Sequence, residues 1–111
     1  MPKVYLPQLP SRFDSVAQAW VPTIDVTPAK RFGELVVVTE PQAYRMAVSQ
    51  LVPAIKHQMA QFTRDDYLIA LGDPSIMVTC ALAAAQRTGG RVKLLKWDRR
   101  LTDYIESEIV V

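Results

Sequence analysis

Between Tyr67 and Trp97 the sequence reads as strand, capped turn, helix, turn and strand, and this unit constrains the fold more than any other stretch. Tyr67-Leu68-Ile69-Ala70-Leu71 is an apolar run of strand length. Gly72-Asp73-Pro74-Ser75 follows as a helix start. Asp73 stands at the cap and Pro74 in the first turn, where a missing N–H costs little. Ile76 to Ala85 is apolar almost all round, which predicts a helix dry on nearly every side. Thr88-Gly89-Gly90 ends it, and Val92 to Trp97 is the return strand. Such a crossover joins two parallel strands and is right-handed.

The remaining elements are arranged around this unit. Residues 1–33 hold five of the eight prolines, Pro2, Pro7, Pro10, Pro22 and Pro28. Each removes a backbone donor and pushes its predecessor toward extended geometry. This predicts an extended arm, with a short strand at Val4-Tyr5-Leu6 lying at a sheet edge. Phe13, Trp20 and Ile24 are its apolar anchors on the domain. Asp25 or Thr27 caps a turn opened by Pro28 and closed by Gly33. Glu34 to Val38 is a β-branched run that suits a strand covered on both faces. Thr39-Glu40-Pro41-Gln42 fits a capping box. Apolar residues from Ala43 to Phe62 then recur at helical spacing over about five turns, with a break allowed near residue 52 because of Pro53. After the turn at Asp98–Asp103, Ile105, Ser107, Ile109 and Val111 alternate with Glu106 and Glu108, as in a strand antiparallel to its predecessor. The predicted fold is one α/β domain over 1–111. It has a small mostly parallel sheet, two helices, an antiparallel C-terminal strand and a Pro-rich arm packed upon it.

Composition narrows the function. Half of the 111 residues are hydrophobic and 22% are charged, which excludes a disordered chain. One cysteine and one histidine leave no internal disulfide and no two-histidine metal motif. No apolar run approaches the roughly 20 residues of a membrane span. Met1 to Pro7 lacks a signal-peptide apolar region. The expectation is a soluble intracellular protein without cofactor or metal.

Two places can carry chemistry. Gly72, Asp73 and Ser75 stand where a strand gives way to a helix, a position that suits anions. The spacing matches no phosphate-binding fingerprint, however, Asp73 is negative and Pro74 removes an amide. An ordinary capped helix start is the preferred reading. The other place is basic: Arg87, Arg91, Lys93, Lys96, Arg99 and Arg100 face only Asp98 between residues 85 and 100, so the rest of the chain is net negative. Beside Trp97 these residues allow nucleic-acid binding, though a solvated edge with Glu106 and Glu108 as ion partners is the simpler account. His57 falls on a polar helix face. Cys80 reads as a buried, inert thiol. Asp65 and Asp66 read as solubilising loop charges, and Met46, Met59 and Met77 as core. No nucleophile has a base partner, so no catalytic residue is assigned.

Three stretches together resemble small proteins encoded by tailed bacteriophages. They are Pro22 to Gly33, Asp66 to Pro74 with its Gly-Asp-Pro helix start, and Gly90 to Arg100 with Val-Lys-Leu-Leu-Lys-Trp-Asp-Arg. The resemblance spans most of the chain and brings no activity with it. It implies a viral accessory protein of the host cytoplasm. Such a protein is expected to bind a host or phage protein, here through Trp97, Arg99 and Arg100 with Lys96 and Arg91. The alternatives are a phosphate or nucleotide site at Gly72–Ser75 and nucleic-acid binding through Arg87–Arg100. An unpaired sheet edge further suggests a homo-oligomer.

Overall fold

The computed structural model describes residues 1–111. Its elements are β1 (Lys3–Gln8), β2 (Ser11–Asp14), β3 (Ala19–Pro22), a 3-10 helix (Thr27–Phe32), β4 (Glu34–Thr39), a 3-10 turn (Ala43–Arg45), α1 (Val48–Gln58), β5 (Tyr67–Ile69), α2 (Pro74–Thr88), β6 (Arg91–Asp98) and β7 (Asp103–Val110). Five strands make one sheet in the order β4-β1-β5-β6-β7. The first four are parallel and β7 is antiparallel to β6. The α/β class, the two α-helices and the antiparallel last strand are as the sequence predicts.

The two faces of the sheet are covered unequally. On one, α1 and α2 bury Leu51, Ile55, Ile76 and Cys80 against Tyr5, Val38, Leu68 and Val92. On the other, only the 3-10 helix lies across the strands, with Ala29 buried among Val4, Leu6, Ile69, Leu95 and Tyr104. Asp25 accepts the Thr27 amide at 2.9 Å and Gly33 donates to Lys30, so this turn starts and stops as expected. The chain moves from β1 outward to β4, then back past β1 to β5. The strand order therefore reverses between β1 and β5.

The N-terminal arm differs from its prediction. Its first strand is not at an edge; it is the inner strand β1, paired with both β4 and β5. Pro7 is tolerated there because β5 is short. The next rung would take a donor from Pro7 to the Ile69 carbonyl, and that carbonyl accepts from Leu71 instead. Residues 11–22 form a separate hairpin, in which Phe13 and Trp20 stack edge-to-face at 5.7 Å. These two rings serve the hairpin, and neither joins a core cluster.

The long first helix is also shorter than its periodicity suggests. The Thr39 hydroxyl donates to the Pro7 carbonyl at 2.7 Å and is not available as a cap. Met46 is extended, with ψ 151°. The break thus falls at Met46–Ala47, and Pro53 lies inside α1. Met59 is buried as expected, while Met46 is exposed. Asp66 is no loop solubiliser. It is buried and accepts from the Lys3 amide at 2.8 Å, the Thr63 amide at 2.8 Å and the Thr63 hydroxyl at 3.1 Å. This carboxylate satisfies the β1 donor just beyond the first β5 rung. Finally, α2 is wetter than its sequence predicts: Ile76, Cys80, Ala83 and Ala84 are buried, but Val78 is 59% and Leu82 63% exposed.

Two substitutions test these constraints. Gly72 has φ +103°, and a Cβ there would lie 2.6 Å from the Gln8 Cβ and 2.8 Å from its carbonyl oxygen. Gly72→Ala should cost on the order of 3 kcal/mol and lower Tm by about 10 °C or more in a thermal melt. Asp66→Asn sets an amide donor against Thr63 or Lys3, so denaturant unfolding should show a loss of about 1–3 kcal/mol. An unchanged midpoint would show that Asp66 does not hold the β1–β5 seam.

Candidate functional site

Open α/β sheets commonly bind ligands beyond the carboxyl ends of their strands, where the strand order reverses. In this chain that position is filled. Gln8, buried at the end of β1, donates from Nε2 to the Pro41 carbonyl at 3.1 Å and accepts the Asp73 amide on Oε1 at 2.8 Å. Gly72 packs directly on it. The helix start beyond is occupied from within. Asp73 accepts from the amides of Ser75 at 3.1 Å and Ile76 at 3.3 Å, and from the Ser75 hydroxyl. The Ser75 hydroxyl, together with these amides, holds the Asp73 carboxyl below its usual range. Gly72, Asp73 and Ser75 thus form the capped helix start that the sequence favoured, with both Ser75 donors directed at Asp73 and the Asp73 amide at Gln8.

The open cleft lies one seam further along, on the face covered only by the 3-10 helix. It has a volume of about 500 Å³. Ala70 and Leu71 come from the end of β5, Trp97 from β6 and Tyr104 from β7. Arg99 comes from the β6–β7 turn, and Thr23, Ile24, Asp25 and Pro28 from the arm. The cleft exists because one six-residue 3-10 helix cannot cover five strands. Trp97 and Tyr104 are cross-strand partners stacked edge-to-face at 5.1 Å. Tyr104 is buried and Trp97 is 41% exposed. Burial raises the Tyr104 phenol above its usual range, and the nearby Asp25 carboxylate adds to the shift. Asp25 itself is held low by Thr27, whose side chain and amide both bond to it.

The cleft lining holds one carboxylate, Asp25, and one cation, Arg99, and the turn beside it adds Arg100. Asp98 directs one oxygen at the amides of Arg100, 2.8 Å away, and Leu101, 3.0 Å away, which fixes the turn. Asp103 pairs with Arg31 at 2.8 Å, and Arg31 also donates to the Tyr104 carbonyl. The turn's two carboxylates are therefore occupied elsewhere, and neither Arg99 nor Arg100 has an ion partner.

The five residues singled out for partner binding separate in space. Trp97 and Arg99 meet at the cleft, and Arg100 sits beside them in the turn. Lys96 lies on the opposite sheet face, because adjacent strand residues alternate. Arg91 is at the far end of β6, roughly 20 Å away at strand rise, and pairs with Glu108 at 3.2 Å. Lys93 lies over the Tyr67 ring at 5.1 Å. The six basic residues of the cluster thus do not form one patch. His57 is exposed, and Cys80 is buried with its thiol pushed up to about 12 by desolvation. No three His, Cys, Asp or Glu side chains converge. No helix is long and apolar enough to cross a membrane.

Sequence reasoning missed the arm's share of the cleft. Asp25 and Pro28 read as a turn, but nothing local shows that the turn faces Trp97 across about 70 residues of chain. No curated protein and no solved structure matches the chain. A family model described as phage Pam3 gp32-like protein matches residues 2–111, which bears out the resemblance read from the Gly-Asp-Pro and Trp-Asp-Arg stretches: the chain belongs to that phage protein family.

Proposed function

We propose that this phage protein is a non-enzymatic binding protein of the host cytoplasm, and that the cleft beside the β6–β7 turn receives an acidic segment of a host or phage protein. One observation carries the reading. A half-exposed tryptophan and an arginine without an ion partner stand together at the mouth of a cleft of about 500 Å³. Tryptophan and arginine are the residues that most often dominate binding energy at protein interfaces. The Trp97 indole N–H makes no hydrogen bond within the chain, so a partner's acceptor gains one without breaking another. Arg99 supplies attraction and a forked donor for a carboxylate. The volume suits one or two partner side chains inserted between Trp97 and the arm. The turn is held by Asp98 and the 3-10 helix is tied to β7 by Arg31, so both walls are set before a partner arrives.

Capture from infected-cell lysate, followed by titration of the purified partner, tests this. Arg99→Glu and Trp97→Ala should each weaken binding by roughly tenfold or more, equivalent to about 1.4 kcal/mol. Arg99→Glu is exposed and should leave Tm within about 3 °C of the parent. Affinity should also fall with added salt. Trp97 fluorescence, read in a Trp20→Phe background, should change on binding. Binding that persists in Arg99→Glu and is indifferent to salt would overturn the reading. If Trp97→Ala only unfolds the chain, Arg99→Glu decides.

A further inference from the structure

The sheet has two edges, and they are protected very differently. β7 carries Glu106 and Glu108, the charged side chains by which edge strands avoid pairing. β4 carries Glu34-Leu35-Val36-Val37-Val38-Thr39, with no charge after its first residue, no proline and no lysine. Val37 is 44% exposed. Glu34 donates its amide to Pro2, so the even-numbered residues of β4 turn their backbone groups toward β1. By alternation, Leu35, Val37 and Thr39 turn theirs outward. The chain supplies no hydrogen-bond partner for these outward groups.

We infer that β4 pairs antiparallel with β4 of a second copy, joining two five-stranded sheets across a two-fold axis. In such a pair each residue faces another of the same strand, so the strand must tolerate itself. With the axis at Val36, Leu35 faces Val37, Val36 faces Val36 and Glu34 faces Val38. No like charges meet, and Leu35 and Val37 are outward residues that form a hydrogen-bonded rung. Shifting the axis to Val37 would bring Glu34 against Glu40, and shifting it to Leu35 would leave only residues 34–36 of the strand paired, which selects the first register. β7 is less suited to self-pairing. An axis at Glu106, Ser107 or Glu108 sets glutamate against glutamate on its central rungs. Because β4 tolerates itself in this register, the occupant of its edge is a copy of this chain, and the exposed Val37 is covered by Leu35 of that copy.

Sedimentation of the full chain over a concentration series tests the inference, alongside hydrogen exchange. The parent should sediment at twice the 12.5 kDa chain mass. The amides of Leu35, Val37 and Thr39 should be protected, and increasingly so with concentration. Val37→Pro removes an outward donor and leaves the β1 ladder intact, so it should sediment as a single chain with unchanged circular dichroism. Val37→Lys should do the same by placing a charge in the seam. Leu82→Glu, on the outer side of α2, should stay paired. A parent chain that is single at every concentration would overturn the inference. So would unprotected Leu35 and Val37 amides, or pairing that survives both Val37 variants. Should Val37→Lys fail to fold, Val37→Pro and the exchange pattern still decide.

Discussion

Gln8 holds the centre of this structure. It lies at the end of the inner strand, where the chain's path across the sheet reverses, and its single amide group joins two loops that have no other direct bond. Nε2 binds the loop after β4 through Pro41, and Oε1 binds the loop after β5 through Asp73. Each such bond contributes about 1 kcal/mol, but breaking either leaves a buried polar group unpaired and costs more. The contact is so close that residue 72 has no room for a Cβ. The glycine, the glutamine and the helix cap after them are one unit. Asp73 presents its amide to Gln8 and its carboxylate to the first turn of α2, so the start of α2 is fixed by the end of β1.

Filling the reversal point moves the available surface elsewhere. A doubly wound sheet with a vacant crevice there offers strand ends and helix amides to an anion. Here the side chain occupies the crevice and the amides are bound to Asp73. The unequal covering of the faces then decides what stays open. Two α-helices fill one side as far as β6, while a single 3-10 helix spans the other. The opening lies between that helix and the β6–β7 turn, where Trp97, Tyr104 and Arg99 meet the arm. Its lining combines the aromatic rings of Trp97 and Tyr104 with the charged side chains of Arg99 and Asp25.

Most of the fold was legible where the signal is local. β4, β5, β6 and β7 followed from apolar runs and alternation. The α2 cap followed from Asp73-Pro74, and the turn before β4 from Asp25, Pro28 and Gly33. What was not legible depends on distant residues. β1 looks like an edge because of its prolines, and only the shortness of β5 makes Pro7 harmless inside a sheet. The capping box at Thr39 is sound in isolation but loses its hydroxyl to Pro7. Asp66 looks like a loop charge until Lys3 arrives from the other end of the chain. Of the candidate site, Trp97 and Arg99 share the cleft lining because they stand two residues apart at the end of β6. Their facing wall came from residues 23–28, which share no pattern with them.

The apolar stripe on α2 shows how these features fit one molecule. Its helix is apolar on two sides, and only one of them meets the sheet. The other, with Val78 and Leu82, borders a groove of about 250 Å³ that continues over Leu94, Ile109 and Val111. The groove lies on the helical face beside β7, the cleft lies on the opposite face, and the β4 edge is at the far end of the sheet. A two-fold pair formed at β4 is closed, because the same patch is used by both copies. It covers neither the cleft nor the groove. In the proposed pair two clefts would be presented, and a partner with two acidic segments would gain avidity from both without any new contact. The glutamates on β7 fit the proposed arrangement, because they would hinder further strand addition at its outer ends.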